Sequence, residues 1–214
     1  MSKNLLIEIG TEELPPKALF KLSEAFLTGV VDGLKQQHLD YITAIPFATP
    51  RRLAILVEGL IDKQTDQQVA RKGPAIVAAF DKEGQPTKAA LGFARSCGVE
   101  IADLDKTGER LVYNNIQVGK LTADLLPKII DNALAALPIP KRMRWSNLPF
   151  EFVRPVHWIV ILFGSEVIET EILGIKSGDA TRGHRFHHPE PIILSEPTDY
   201  VKTLEKQGLV IPDF

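Results

Sequence analysis

The stretch "LLIEIGTEELPPKALFKLSEAFLTGVVDGLKQQ", residues 5–37, decides the fold. Its first six residues alternate weakly between apolar and polar and stop at Gly10, which predicts a strand. After that the spacing changes: Leu19, Leu22, Phe26, Val30 and Leu34 recur at steps of three and four behind an acid- and proline-rich start, the pattern of an amphipathic helix. The three acids Glu8, Glu12 and Glu13 stand just ahead of that helix, where they read as partners of its dipole rather than as an acid–base pair or magnesium ligands.

Working outward, "DYITAIPFATPRRLAILVEGL" (40–60) reads as a hairpin, with Ile42, Ile45 and Phe47 before a proline turn and Leu53, Ile55 and Val57 alternating after it. Polar "QTDQQVARKGP" (64–74) reads as a connector or exposed loop. "TKAALGFARSCGV" (87–99) predicts a short helix capped by Thr87, with an inward stripe of Ala90, Leu91, Ala94 and Cys97 and a stop at Gly98. "RLVYNNIQVG" (110–119) is strand-like, and "LTADLLPKIIDNALAAL" (121–137) is helical provided Pro127 falls in the first turn. "VHWIVILFGSEVIETEILGI" (156–175) predicts two strands around "GSE", the first apolar throughout as in a strand covered on both faces. A short helix is expected around "TDYVKTLEKQG" (198–208). Strands and helices mix without regular alternation and without a glycine-rich phosphate turn, so the fold class is α+β, with mainly antiparallel sheets and packed helices, rather than a doubly wound parallel sheet. Proline-, arginine- and aromatic-rich "IPKRMRWSNLPFEFVRP" (139–155) is the expected boundary between two lobes, 1–140 and 141–214, the second cut short at its C-terminal end.

Composition narrows the function. With 25 Lys and Arg against 27 Asp and Glu, the formal charge of −2 excludes a domain-wide basic field, so any contact with nucleic acid must be local. A single cysteine, Cys97, excludes an intrachain disulfide framework and a thiolate-rich zinc site. The N-terminus has no signal-peptide pattern, and runs such as "WIVILF" fall far short of the ~20 residues of a membrane helix, so a soluble cytoplasmic protein without membrane association is expected. The P-loop, nucleophile-elbow, His-Glu-x-x-His and Cys-x-x-Cys signatures are absent, and no complete catalytic site is recognisable.

Chemistry concentrates in "TRGHRFHHP" (181–189). His184, His187 and His188 supply imidazoles, yet neighbouring side chains in an extended loop diverge and no carboxylate stands within the motif to complete a metal shell. Two readings remain open: imidazoles bonded to backbone in an irregular loop, or contact with an anion, Arg182 and Arg185 offering planar forks, Thr181 a hydroxyl and Gly183 room for close approach. Other basic candidates are Arg51 and Arg52 in "TPRRLA", explicable as edge-strand charges, and Arg142, Arg144 and Arg154 around "KRMRW". The latter are interleaved with Trp145, Phe150, Phe152 and Trp158, which read as core aromatics ahead of base-stacking platforms.

Seven segments in order, "LLIEIGTEELPPKAL", "TPRRLA", "RKGPA", "GFARSCGV", "MRW", "FVRPVHWIV" and "TRGHRFHHP", make the chain resemble the N-terminal part of the β subunit family of bacterial heterotetrameric glycyl-tRNA synthetase. That resemblance implies an accessory chain, inactive alone, that joins an α subunit in an α2β2 assembly to attach glycine to tRNA(Gly). ATP and magnesium would be used by the assembled enzyme at the α subunit's adenylate site, with no cofactor held by this segment. Arg182, His184, Arg185, His187, Arg142, Arg144, Arg154, Arg51 and Arg52 are then candidates for contact with tRNA or the partner subunit, none of them catalytic. The alternatives are a stand-alone hydrolase or editing-type enzyme using His184 or His187 as base, and a purely structural module.

Overall fold

The computed structural model describes residues 2–213 except 82, 107, 140, 146 and 148. In chain order its elements are β1 (Ser2–Thr11), α1 (Pro16–Gln36), β2 (Thr43–Thr49), β3 (Arg52–Ile61), β4 (Gln67–Ala75), α2 (Ile76–Ala79), α3 (Lys88–Cys97), β5 (Arg110–Gln117) and α4 (Thr122–Ala135). There follow β6 (Met143–Arg144), β7 (Glu151–Phe152), β8 (Val156–Phe163), β9 (Glu166–Val167), β10 (Glu171–Ile172), β11 (Ile175–Gly178), β12 (Ala180–Arg182), β13 (Pro191–Ile193) and α5 (Tyr200–Thr203). The class is α+β with mainly antiparallel pairing: of the pairings described, only β11 with β8 is parallel.

Two compact units form, Met1–Gln64 with Lys120–Phe214 and, between them in sequence, Thr65–Gly119. The division expected near 140 is therefore corrected, residue 140 itself lying outside the described residues. The physical reason is strand pairing, because β8 lies antiparallel against β1 with Ile7 opposite Ile161, which ties the two ends of the chain into one sheet. That sheet has the order β10-β11-β8-β1-β3-β2, with β9 also on β8.

β1 is central, and residues 5–11 are buried without a break. Leu5, Ile7 and Ile9 join a core with Leu22, Phe26, Val30 and Leu34 of α1 and with Leu126, Ile129 and Ile130 of α4. Leu6 points the other way, into a second cluster of Trp158, Val160, Leu194, Tyr200 and Leu204. Burial on both faces accounts for the weak alternation of the sequence, and each fully buried Leu, Ile or Phe contributes about 1.5–3 kcal/mol.

α1 starts behind Pro15 with Pro16 in its first turn and has no acid there, so Glu12 and Glu13 are not the dipole partners expected of them. Against α4 it packs through glycines: a Cβ on Gly29 would stand 2.9 Å from the Ala133 Cβ, and one on Gly33 would stand 2.6 Å from the Ile129 Cγ2. In an exposed helix Gly→Ala gains roughly 0.5–1 kcal/mol. Here the sign is expected to reverse, Gly29→Ala lowering stability by about 1–3 kcal/mol as the helices are forced apart. A shift of the urea midpoint to higher concentration would refute the close approach. Pro127 is the sixth residue of α4, not in its first turn as expected, so its ring nitrogen leaves the Ala123 carbonyl without its usual intrahelical donor.

The inserted unit pairs β4 with β5 antiparallel, Arg71 opposite Tyr113. Residues 64–74, expected as a loop, thus include most of a strand, and the reason it was hidden is that β4 is exposed over its first six residues. It is held by its backbone ladder and carries no apolar alternation. α3 ends at Gly98 in the left-handed conformation (φ 72°), and its small core is Ala79, Ala90, Ala94, Leu104 and Leu111. Leu91, expected inward, is exposed, and Cys97 is half-buried. Thr87 sits at the cap position, but its hydroxyl donates to the Ala78 carbonyl at 2.7 Å rather than capping α3. Among the described residues no helix is long and apolar enough to cross a membrane.

Candidate functional site

The nine-residue loop begins on β12, where Thr181 is buried and Arg182 exposed, and turns back to β13 with Arg182 opposite Pro191. His184 Nδ1 faces the backbone N–H groups of Phe186 and His187 at 3.4 and 3.3 Å, and the His188 amide donates to the His184 carbonyl at 2.8 Å. His188 Nδ1 lies 3.1 Å from the Glu190 carbonyl. Nδ1 of His184 thus faces the two amides that shape the turn. His187 stacks on it with ring centroids 4.5 Å apart. Gly183 does allow a close backbone approach, but to Gly208: a Cβ there would lie 2.7 Å from the Gly208 carbonyl, which also accepts the His184 amide at 2.7 Å.

Beneath the loop lies a buried charge. Glu8, fully buried in β1, accepts the indole N–H of Trp158, and the Thr181 hydroxyl is 2.7 and 3.0 Å from its two oxygens. Arg52 Nη1 stands 3.7 Å from Glu8 Oε2, with the arginine side chain only 3% exposed, while its Nη2 donates to the Arg182 carbonyl at 2.6 Å. The expectation of Arg51 and Arg52 as edge-strand charges fails because β3 lies inside the sheet, between β1 and β2. Instead Arg52 links the sheet to β12. Tyr200 closes the cluster: burial, reinforced by the negative charge of Glu8, pushes its hydroxyl well above the ordinary phenol range. The guanidinium carbons of Arg52 and Arg182 lie 5.8 and 5.9 Å from the centroid of the Trp158 ring, within cation–π range.

Above this floor the remaining acids meet the bases. Glu12 lies 2.9 Å from His157 Nε2 and 3.5 Å from Arg51 Nη2, and Glu13 lies 3.2 Å from Arg185 Nη1. Arg154 donates through Nε to the Glu13 carbonyl at 3.0 Å. Two adjoining clefts result. The larger, of about 440 Å³, has Arg51, Arg52, His184 and Arg185 on its polar side and Phe186, Leu209 and Ile211 on its apolar side. The smaller, of about 360 Å³, is lined by Glu12, Arg51, His157, Arg182, Arg185 and His188. Arg51, Trp158, Gly183 and Arg185 belong to both.

Among the described residues no group of three His, Cys, Asp or Glu side chains is arranged to hold a metal ion. The guanidinium forks of Arg51, Arg182 and Arg185, with Glu12 and Glu13 beside them, give the clefts donors that an anionic ligand can use. The family model described as "Glycyl-tRNA synthetase beta subunit" matches residues 5–214. The chain belongs to the glycyl-tRNA synthetase beta subunit family. It is 52% identical over 216 residues to the glycine–tRNA ligase beta subunit of Hahella chejuensis, an alignment covering 99% of this chain and 31% of that protein. The corresponding beta subunits of Marinobacter nauticus and Pseudomonas aeruginosa are 48% and 50% identical over the whole of this chain, again 31% of their own length. The chain thus spans under a third of the relatives it matches.

Within this family member, the clefts gather Arg51, Arg52, Arg182, His184 and Arg185 from the sequence candidates, with Arg154 beside them through Glu13. His187 lines neither cleft. Arg142 and Arg144 lie elsewhere: Arg142 Nη2 donates to the Ala135 carbonyl at the end of α4 at 2.8 Å, and Arg144 pairs with Glu151 between β6 and β7. Sequence reasoning missed Glu8, Glu12, Glu13, His157 and Tyr200 as members of the site. One signal was available, a lone acid inside the otherwise apolar run "LLIEI".

Proposed function

We propose that this chain is the N-terminal part of an accessory subunit that joins a catalytic α subunit, in an α2β2 cytoplasmic assembly, to attach glycine to tRNA(Gly). ATP and magnesium are used at the α subunit's adenylate site. In this reading the clefts hold tRNA phosphates. The observation that carries it is the convergence of Arg51, Arg182 and Arg185, from two distant segments, on one surface whose buried anchors keep it rigid. Guanidinium forks match phosphate oxygens, and an exposed surface of this kind contacts backbone without reading sequence.

The test uses the full-length β chain assembled with α. Arg182→Ala with Arg185→Ala is expected to weaken tRNA binding and to lower the slope of log affinity against log salt by roughly 1.4–1.8, since each phosphate contact contributes about 0.7–0.9. An unchanged slope would reject the phosphate role. Glycylation and complex formation are measured in parallel, because Arg51 and Arg185 already pair with Glu12 and Glu13 and a contact with the α subunit would instead reduce assembly.

A further inference from the structure

The larger cleft differs from the smaller in one respect: half of its wall is apolar and open. Phe186 is 74% exposed, Ile211 74% and Leu209 55%, and all three line it. Exposed apolar side chains scattered singly are ordinary. Three converging on one cleft of about 440 Å³, directly against Arg51 and Arg185, are not scattered. The Phe186 ring has the Arg185 guanidinium carbon 4.7 Å from its centroid and the His184 ring tilted beside it at 6.1 Å, and it still keeps most of its surface exposed. Leu209 is held at φ 55°, a left-handed conformation that costs a residue with a Cβ, and it carries the segment 209–211 to the cleft wall.

We propose that this cleft receives one unpaired nucleobase, stacked on Phe186 and walled by Leu209 and Ile211, while the phosphate attached to it sits between Arg51 and Arg185 in the adjoining cleft. The inference rests on the phosphate-binding reading above and adds what the apolar wall is for. A nucleotide presents an apolar π-face beside a single negative charge, and the clefts set Phe186 beside Arg51 and Arg185, whose present partners, the exposed carboxylates of Glu12 and Glu13 at 3.5 and 3.2 Å, the phosphate replaces. The base must be unpaired, because a base inside a helix is covered on both faces by its neighbours. A size of about 440 Å³ lies within the ordinary range of small-ligand sites, adequate for one base and too small for a helix.

The experiment uses the full-length β chain with α and tRNA(Gly). Phe186 is replaced by the photo-crosslinker p-benzoylphenylalanine, and the adduct is mapped after irradiation; in parallel the affinity of the Phe186→Ala assembly is measured across salt concentrations. Expected are a crosslink to one unpaired nucleotide and about a ten-fold loss of affinity with the salt slope unchanged, because a stacking contact and no phosphate contact has been removed. A crosslink into a base-paired stretch, a crosslink into protein or no crosslink at all would overturn the proposal, as would an unaltered affinity. The two readings fail separately. If Arg182→Ala with Arg185→Ala lowers the salt slope while Phe186→Ala does nothing, the phosphate role stands and the base site falls; if neither has an effect, both fall.

Discussion

Glu8→Ala is expected to destabilise the chain by about 3–5 kcal/mol, the usual result of leaving a buried ion without its partner. Arg52 is 3% exposed and Glu8 is the carboxylate facing it, so removal of Glu8 strands a guanidinium between β1 and β12 and deprives the Trp158 indole and the Thr181 hydroxyl of their acceptor. Glu8→Gln keeps an oxygen for the indole and should cost less. The decisive comparison is Glu8→Ala combined with Arg52→Met, in which the stranded charge is gone. Denaturant midpoints should place this double variant above Glu8→Ala alone, and equal or lower stability would show that the buried charge is not what the substitution exposes.

Gly10→Ala ranks next. Gly10 of β1 lies directly opposite Trp158 of β8, and a Cβ at residue 10 would stand only 2.0 Å from the indole Cδ2 and Cε2. The backbone there is held by β3 on one side and β8 on the other, so the indole has to leave. Overpacking of this kind costs about 1–3 kcal/mol, and loss of the indole hydrogen bond to a charged acceptor adds roughly 1.5–3. A loss of about 3 kcal/mol or more is therefore expected, with tryptophan emission shifting to the red as the ring reaches water. Trp158→Ala in the same chain removes the clash, so the two substitutions together should cost clearly less than their sum; strict additivity would mean that the ring and the glycine do not share that space. Since Arg52 and Arg182 both rest on the indole, the same substitution should disturb the clefts above it.

Wherever burial is periodic, the sequence was readable. The spacing of Leu22, Phe26, Val30 and Leu34 marks α1 because one face meets the core, while Leu53, Ile55 and Val57 belong to one core cluster and Ala54 and Leu56 between them to the other, so β3 is legible from its apolar content. β4 was not readable, since a two-stranded ladder exposed to water imposes no pattern on "QQVARK". Neither was the long-range order of the sheet: nothing local in "LLIEIG" says that its second neighbour is "VHWIVILF". For the site, the arginines of "TPRRLA" and "TRGHRFHHP" were identifiable by chemistry alone. Their division of labour was not, because Arg51 and Arg52 are adjacent and identical in type, yet Arg52 opens β3 and turns down to Glu8 while Arg51, in the turn before it, stays at Glu12. The acids were misassigned for the same reason. Position ahead of a helix is a local rule, and pairing across the sheet overrode it.

The discontinuous first unit sets a constraint on biosynthesis. The apolar strand β1 is synthesised well before its neighbour β8, which follows some 150 residues later, after the inserted unit has been made. At about 5–20 residues per second the ribosome needs roughly 8–30 seconds to deliver it. Once β3 has been made, one edge of β1 has it as a partner and the other is an unpaired row of amides and carbonyls, so nascent chains of this protein should depend on holdase chaperones until β8 closes the sheet.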